Sequence, residues 1–250
     1  MDFARYVEEF HRLYLDASGL DEPQIPKLEQ VISFIPQKIV ILAPHPDDEC
    51  LMCGFALRAQ EEFGSEVMVV PFSYGSKLPR RAERKEELLQ ALGVLNFKLH
   101  DPRKIDSSQE ELDEGQILDA FEQLTPDLVI TMHLNDGHPT HVRSADLGRR
   151  ALKHYVGNTK QNVILLQSEY WLSLPHPSVL VPLSSKHLAR MGKALQKHVG
   201  EVSRNPYHLT LPAWAMDQVR RGSEIAKGSK ANGAIFGQLY SMEKSDTLVK

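Results

Sequence analysis

Lys38 to Ala43 is apolar after its first residue, with none of the polar alternation of a half-exposed strand, and it stops abruptly at Pro44-His45-Pro46-Asp47-Asp48-Glu49. A short unbroken apolar run bounded by prolines reads as a strand buried on both faces, the environment of a parallel sheet. Helical spacing follows at once, with Leu51, Phe55, Ala59 and Phe63 four residues apart until Gly64. Strand, turn and helix in that order form the unit of an α/β sheet, whose ligands bind at the carboxyl ends of the strands. Further apolar runs, Val67 to Phe72, Leu128 to Met132 and Val163 to Gln167, and a short strand over Phe97 to His100 alternate with helical patterns such as Arg80 to Leu92 and Ile117 to Leu124. The expectation is a Rossmann-like, doubly wound α/β fold, a mainly parallel sheet with helices on both faces. Neither G-x-G-x-x-G nor G-x-x-x-x-G-K-[ST] occurs, so neither a dehydrogenase nor a P-loop site is expected.

The turn after the first strand places one imidazole beside two adjacent carboxylates. Such a group cannot be buried without compensating partners, and a divalent metal is the simplest one. Asp-Asp-Glu alone could be no more than an acidic helix start. A second cluster weighs against that: His133, then Asn135-Asp136-Gly137-His138-Pro139-Thr140-His141, closes the Leu128 to Met132 run in the same manner. Pro139 suits a first helical position, and His138 and His141, three residues apart, then project to one side. On the same sheet edge, Ser73 to Ser76 follows the second strand, Arg81 opens the next helix and Asp101 ends the third strand. An arginine at that place is suited to a substrate hydroxyl or carboxylate.

Together, Pro44-His45-Pro46-Asp47-Asp48-Glu49 and Asp136-Gly137-His138-Pro139-Thr140-His141 resemble the paired motifs of the LmbE-like or PIG-L superfamily of zinc-dependent N-acetylglucosamine deacetylases. The resemblance continues more loosely through Arg81, Glu83 and Leu92-Gly93 to Gly222, Gly233, Phe236 and Tyr240. It departs at Thr140, where the family usually has Asp, a change beside the ligands rather than in them. The resemblance implies His45, Asp48 and His141 as metal ligands, a mixed nitrogen and oxygen set that suits Zn²⁺ and also admits Fe²⁺ or Co²⁺. It implies Asp47 as general base and a protonated His138 that stabilises the oxyanion and protonates the departing amine. Arg81, Asp101 and Asp136 become the expected substrate contacts. The implied activity is that of a zinc-dependent amidohydrolase releasing acetate and a free amine from a small amino-sugar conjugate. Two other readings stay open: a metal-dependent hydrolase of another amide or ester, and a non-catalytic sugar-binding protein on the same fold.

A chain of 250 residues, 42% hydrophobic, can bury one α/β core. A single domain over 1–250 is expected, with 1–37 as a helical extension and 170–250 as an elaboration shaping the substrate cleft. A net charge of -4 without a basic block argues against nucleic acid and anionic membrane as main partners. The opening residues lack a signal peptide's apolar core and no apolar run spans a bilayer, so a cytoplasmic location without membrane insertion is expected. Phe3, Tyr6, Val7, Phe10, Leu13 and Tyr14 recur at helical spacing, consistent with a helix laid on the core or against another subunit of a homo-oligomer. Cys50 and Cys53 have the C-x-x-C spacing of a redox pair, but the neighbouring carboxylates raise thiol pKa values, and packing cysteines are the expectation. Glu169, Tyr170 and Trp171 break the alternation and are expected to wall the cleft, Lys193 to Val202 to be helical, and Arg220 to Gly237 to be surface or a flap.

Overall fold

A computed structural model describes residues 2–19, 21–103, 109–225 and 233–245. Two helices, α1 (Phe3–Ser18) and α2 (Leu28–Val31), precede the first strand, β1 (Lys38–Ala43). The chain continues through α3 (Asp48–Met52), α4 (Gly54–Phe63), β2 (Glu66–Pro71), α5 (Arg81–Leu95) and β3 (Lys98–Leu99). Then come α6 (Glu114–Leu124), β4 (Leu128–Met132), α7 (Pro139–Thr159) and β5 (Ile164–Ser168). The last part comprises β6 (Val179–Leu183), α8 (Ser185–Leu195), α9 (Val199–Arg204), α10 (Leu211–Ile225) and β7 (Phe236–Lys244). The expected helix over Lys193 to Val202 is instead the end of α8 and the start of α9. Local chemistry sets several ends: Asp113 and Gln116 form a reciprocal cap on α6, and Gly64 closes α4 at φ 73°.

The strands form one sheet in the order β3-β2-β1-β4-β5-β7-β6. From β3 to β5 every pairing is parallel, as the apolar runs implied, whereas β7 runs antiparallel to both β5 and β6. These last two strands correct the reading of the C-terminal region. Part of the stretch expected as surface is α10, and part is β7, which is inserted into the sheet and largely buried; residues 226–232 lie outside the described residues. β7 escaped notice because its buried side chains include Gln238 and Tyr240, and β6 because Pro182 interrupts its apolar run.

Strand alternation divides the core between two layers. Ile39 and Ile41 pack with Phe55, Leu88 and Leu188 on one face, while Val40 and Leu42 pack with Ile117, Phe121, Leu152 and Tyr155 on the other. Helix α1 lies on α8, where Gly192 admits the Phe3 ring so closely that an added Cβ would stand 1.8 Å from it. Phe3, Tyr6, Val7 and Phe10 of its apolar stripe therefore pack on the chain's own core, while Leu13 and Tyr14 stay exposed. Cys50 and Cys53 are free thiols, fully buried, and burial followed by the Glu49 charge pushes both above the ordinary thiol value. No helix among the described residues is long and apolar enough to cross a membrane.

Candidate active site

The carboxyl ends of β1, β2, β4 and β5 open onto a cavity of about 610 Å³. β1 delivers the Pro44 to Glu49 turn, which bends so sharply that Asp47 adopts φ 122°, in a region L-residues rarely enter. Hydrogen bonds hold the turn. Asp47 N–H donates to Glu49 Oε2 at 2.8 Å, and His45 N–H donates to Asp48 Oδ2 at 2.9 Å. Glu49 is itself fully buried and receives His198 Nε2 at 2.7 Å and the Cys50 thiol at 3.1 Å on its other oxygen. The last residue of the motif thus anchors the turn to the His198 region and stays out of the cavity.

β4 delivers the second cluster. His138 caps α7, its Nδ1 accepting Thr140 N–H at 3.3 Å, which leaves its Nε2 to carry the proton. Pro139 occupies the first turn, and His141 falls on the same side as His138, ring centroids 4.9 Å apart. The two clusters meet at Asp48, whose Oδ2 stands 3.3 Å from His45 Nδ1 and 3.2 Å from His141 Nε2. Donor atoms about 2.0–2.1 Å from a tetrahedral centre lie ~3.3 Å from each other, so each imidazole stands from Asp48 Oδ2 at the spacing of neighbouring metal ligands. One ring nitrogen from each of His45, His138 and His141 also lies within 4.8 Å of the others. Asp136 Oδ1 stands 3.1 Å from His141 Nδ1, the carboxylate-behind-histidine arrangement that orients metal-ligating imidazoles.

The charges are interdependent. Burial would raise Asp48, but His141 and His45 outweigh it and hold its carboxyl well below the usual range. Burial would keep His141 neutral, yet Asp48 and Asp136 lift it to about 10. Asp47 moves the other way, to about 6, because burial and the Asp48 charge oppose its ionisation more than His198, Arg84 and Tyr207 favour it. His138 is held below the ordinary histidine value by burial and by His141 and His45. The site therefore presents a carboxylate poised near neutrality beside an uncharged imidazole donor.

His45, Asp47, Asp48, His138 and His141 all face the cavity as the two motifs implied. The three expected substrate contacts do not. Asp136 is closed off behind His141, also accepting backbone N–H groups from His138 and Trp171. Asp101 gives its oxygens to Tyr74, Lys85 and Arg103. Arg81 turns its Nε to Gly75 O and stands 3.7 Å from Glu110. One turn along α5, Arg84 lines the cavity instead, donating to Pro46 O at 3.0 Å and standing 3.9 Å from Asp47 Oδ1. Thr140 reaches the wall and its hydroxyl stands 3.3 Å from Arg143. Tyr170 and Trp171 wall the cleft as expected, but Tyr207 was not foreseen: its hydroxyl donates to Asp47 Oδ2 at 2.6 Å. Its sole sequence signal is the Asn205-Pro206 turn before it, which carries no periodicity.

Residues 40–152, a stretch containing both motif clusters, match the family model described as PIG-L, GlcNAc-PI de-N-acetylase. No curated protein sequence matches the chain. Among solved structures, N,N'-diacetylchitobiose deacetylase from Pyrococcus horikoshii is similar with a TM-score of 0.64 at 15% identity, covering 95% of this chain and 92% of that one. GalB, a 4-carboxy-2-hydroxymuconate hydratase from Pseudomonas putida KT2440, has a TM-score of 0.60 at 17% identity over 82% of this chain and 95% of its own. A deacetylase of the teicoplanin biosynthetic pathway gives 0.60 at 16% identity, over 84% and 99%. At such identities the likeness establishes the α/β fold.

Proposed function

Since residues 40–152 carry a PIG-L family domain, we propose that this chain is a metal-dependent amidohydrolase that removes the acetyl group from an N-acetylglucosamine-type sugar or conjugate. The observation that carries the reading is the convergence of His45 Nδ1, Asp48 Oδ2 and His141 Nε2, with Asp47 and His138 beside them. In this reading His45, Asp48 and His141 hold the ion, and Zn²⁺ is the metal their donor set suits best. When bound, such an ion polarises the amide carbonyl and makes an attached water acidic enough to lose a proton near neutral pH.

The chain's own residues do the rest. Asp47 accepts the proton of the attacking water, since its carboxylate is poised near 6 and is fixed by Tyr207. His138, uncharged at rest, offers its Nε2–H to the oxygen on which charge develops. This revises the protonated His138 implied by resemblance. The proton held on Asp47 then passes to the departing amine, so that acetate and a free amino sugar leave together. Arg84 keeps a positive charge beside Asp47 throughout.

Because a hydratase shares the fold, the discriminating experiment follows the bond that changes. Purified protein is incubated with a panel of N-acetylglucosamine conjugates, and acetate and primary amine are quantified together. Equimolar release of both is expected. Release of neither, with water adding across a carbon-carbon double bond of an unsaturated acid instead, would remove the proposal.

A further inference from the structure

Beside the main cavity lies a smaller lobe of about 240 Å³ that the proposed reaction leaves unused. Leu51, Tyr170, Trp171, Asn205 and Tyr207 border both spaces, so the lobe adjoins the cavity along this wall. Leu211 and Trp214 complete the apolar wall. Tyr170 is the hub, edge-on to Trp171 at 5.7 Å and to Tyr207 and Trp214 at 6.2 Å each. Among the described residues no charged side chain lines this lobe, whereas Lys77, Arg80, Arg84 and Glu201 line the main cavity.

Core packing accounts for Leu51, Leu211, Tyr170, Tyr207 and Trp214 but not for Trp171, which remains 57% exposed. The residue is nevertheless fixed. Its backbone N–H donates to Asp136 Oδ2 at 3.2 Å, and its indole lies 27° from the plane of His138 at 6.2 Å between centroids. The carboxylate behind His141 therefore also sets the outer wall of the lobe. An open aromatic surface tied to the reacting end of the cavity is what a ring-binding subsite requires. Ring faces gain by offset or edge contact with Tyr and Trp, while a phosphate or carboxylate there would lose its hydration with no cation to replace it.

We propose that this lobe binds an uncharged ring joined to the anomeric oxygen of the same amino sugar, so that the chain selects a neutral ring-bearing conjugate over an anionic one. The proposal rests on the deacetylase reading of the main cavity. Asn205 and Thr210, at its border, supply polar contacts for the edge of the ring.

Both tryptophans of the chain, Trp171 and Trp214, line the lobe, so tryptophan emission reports its occupancy independently of turnover. The probes are phenyl N-acetyl-β-glucosaminide, N-acetylglucosamine and N-acetylglucosamine 1-phosphate, each titrated against emission and assayed for acetate release. Saturable quenching by the phenyl glycoside is expected, with kcat/KM about tenfold above that of the free sugar and the 1-phosphate poorest. Thr210→Glu, at an exposed position whose hydroxyl bonds only Tyr207 O among the described residues, places a carboxylate at the lobe and brings the phenyl-to-free ratio to about unity, with an unchanged thermal unfolding midpoint confirming the fold. Equal release from all three probes, or preference for the 1-phosphate, overturns the subsite and leaves deacetylation standing. Quenching by the phenyl glycoside alone, with no acetate from any probe, keeps the subsite and sinks deacetylation.

Discussion

Asp47 concentrates the chemistry of the site in one residue. It has a strained backbone, a buried carboxyl, a short hydrogen bond from Tyr207 and an ionised neighbour in Asp48. Asp47→Asn keeps the shape and the adjacent ligands but cannot accept a proton, so activity should fall by roughly 10²–10⁴-fold while metal content stays at the wild-type level. Metal analysis beside acetate assay checks this. His141→Ala should instead lose the metal together with activity. A base must be ionised to work, and Asp47 is raised to about 6, so the rate should decline as pH falls through that value. Tyr207→Phe removes a hydrogen bond that favours the ionised form, which should move the acid limb of the pH-rate profile upward. At this scale the sequence exposed the five clustered residues because each sits at a fixed offset from a strand end. Arg84 was obscured because adjacent arginines read alike until the helix phase is known, and Tyr207 because its partner lies 160 positions away.

Elements matter through what they hold still. The break between α3 and α4 leaves backbone groups unpaired within the core, and β7 satisfies them: Gln238 Oε1 accepts Gly54 N–H at 2.7 Å, and Tyr240 Oη accepts Phe55 N–H at 3.0 Å while donating to Met52 O at 2.9 Å. Tyr240→Phe should therefore cost about 1–3 kcal/mol in denaturant unfolding, the range for buried groups left without a partner. Glu49 of α3 and His198 form a fully buried pair. Burial lowers His198, but Glu49 outweighs it and the net direction is up. A raised histidine stabilises fully below its unfolded value and loses that contribution as pH rises through the folded one. His198→Ala should thus destabilise by about 3–5 kcal/mol under acidic to neutral conditions, and by less at alkaline pH, in unfolding curves measured across that range. The parallel strands were legible because double-sided burial demands apolar runs. β7 was not, since its polar side chains are buried to cap another element, a tertiary purpose with no local pattern.

The whole molecule is a sheet whose two layered faces are ordinary packing and whose carboxyl edge is not. β1 and β4 are adjacent, so two motifs about 90 residues apart arrive side by side with no long loop needed to join them. The N-terminal helix and the antiparallel strands add burial around this arrangement, while Tyr170, Trp171 and Tyr207 come from the C-terminal third to close the cavity. In the proposed reading the turn after β1 and the start of α7 hold the ion while later segments shape the substrate space, so metal dependence is the property that joins this reading to the fold. It is tested most directly by assaying acetate release from an N-acetylglucosamine conjugate before chelation, after it, and after Zn²⁺ is restored. Activity should disappear with the metal and return on addition of about one equivalent. Release that continues unchanged in the fully chelated protein would contradict the account.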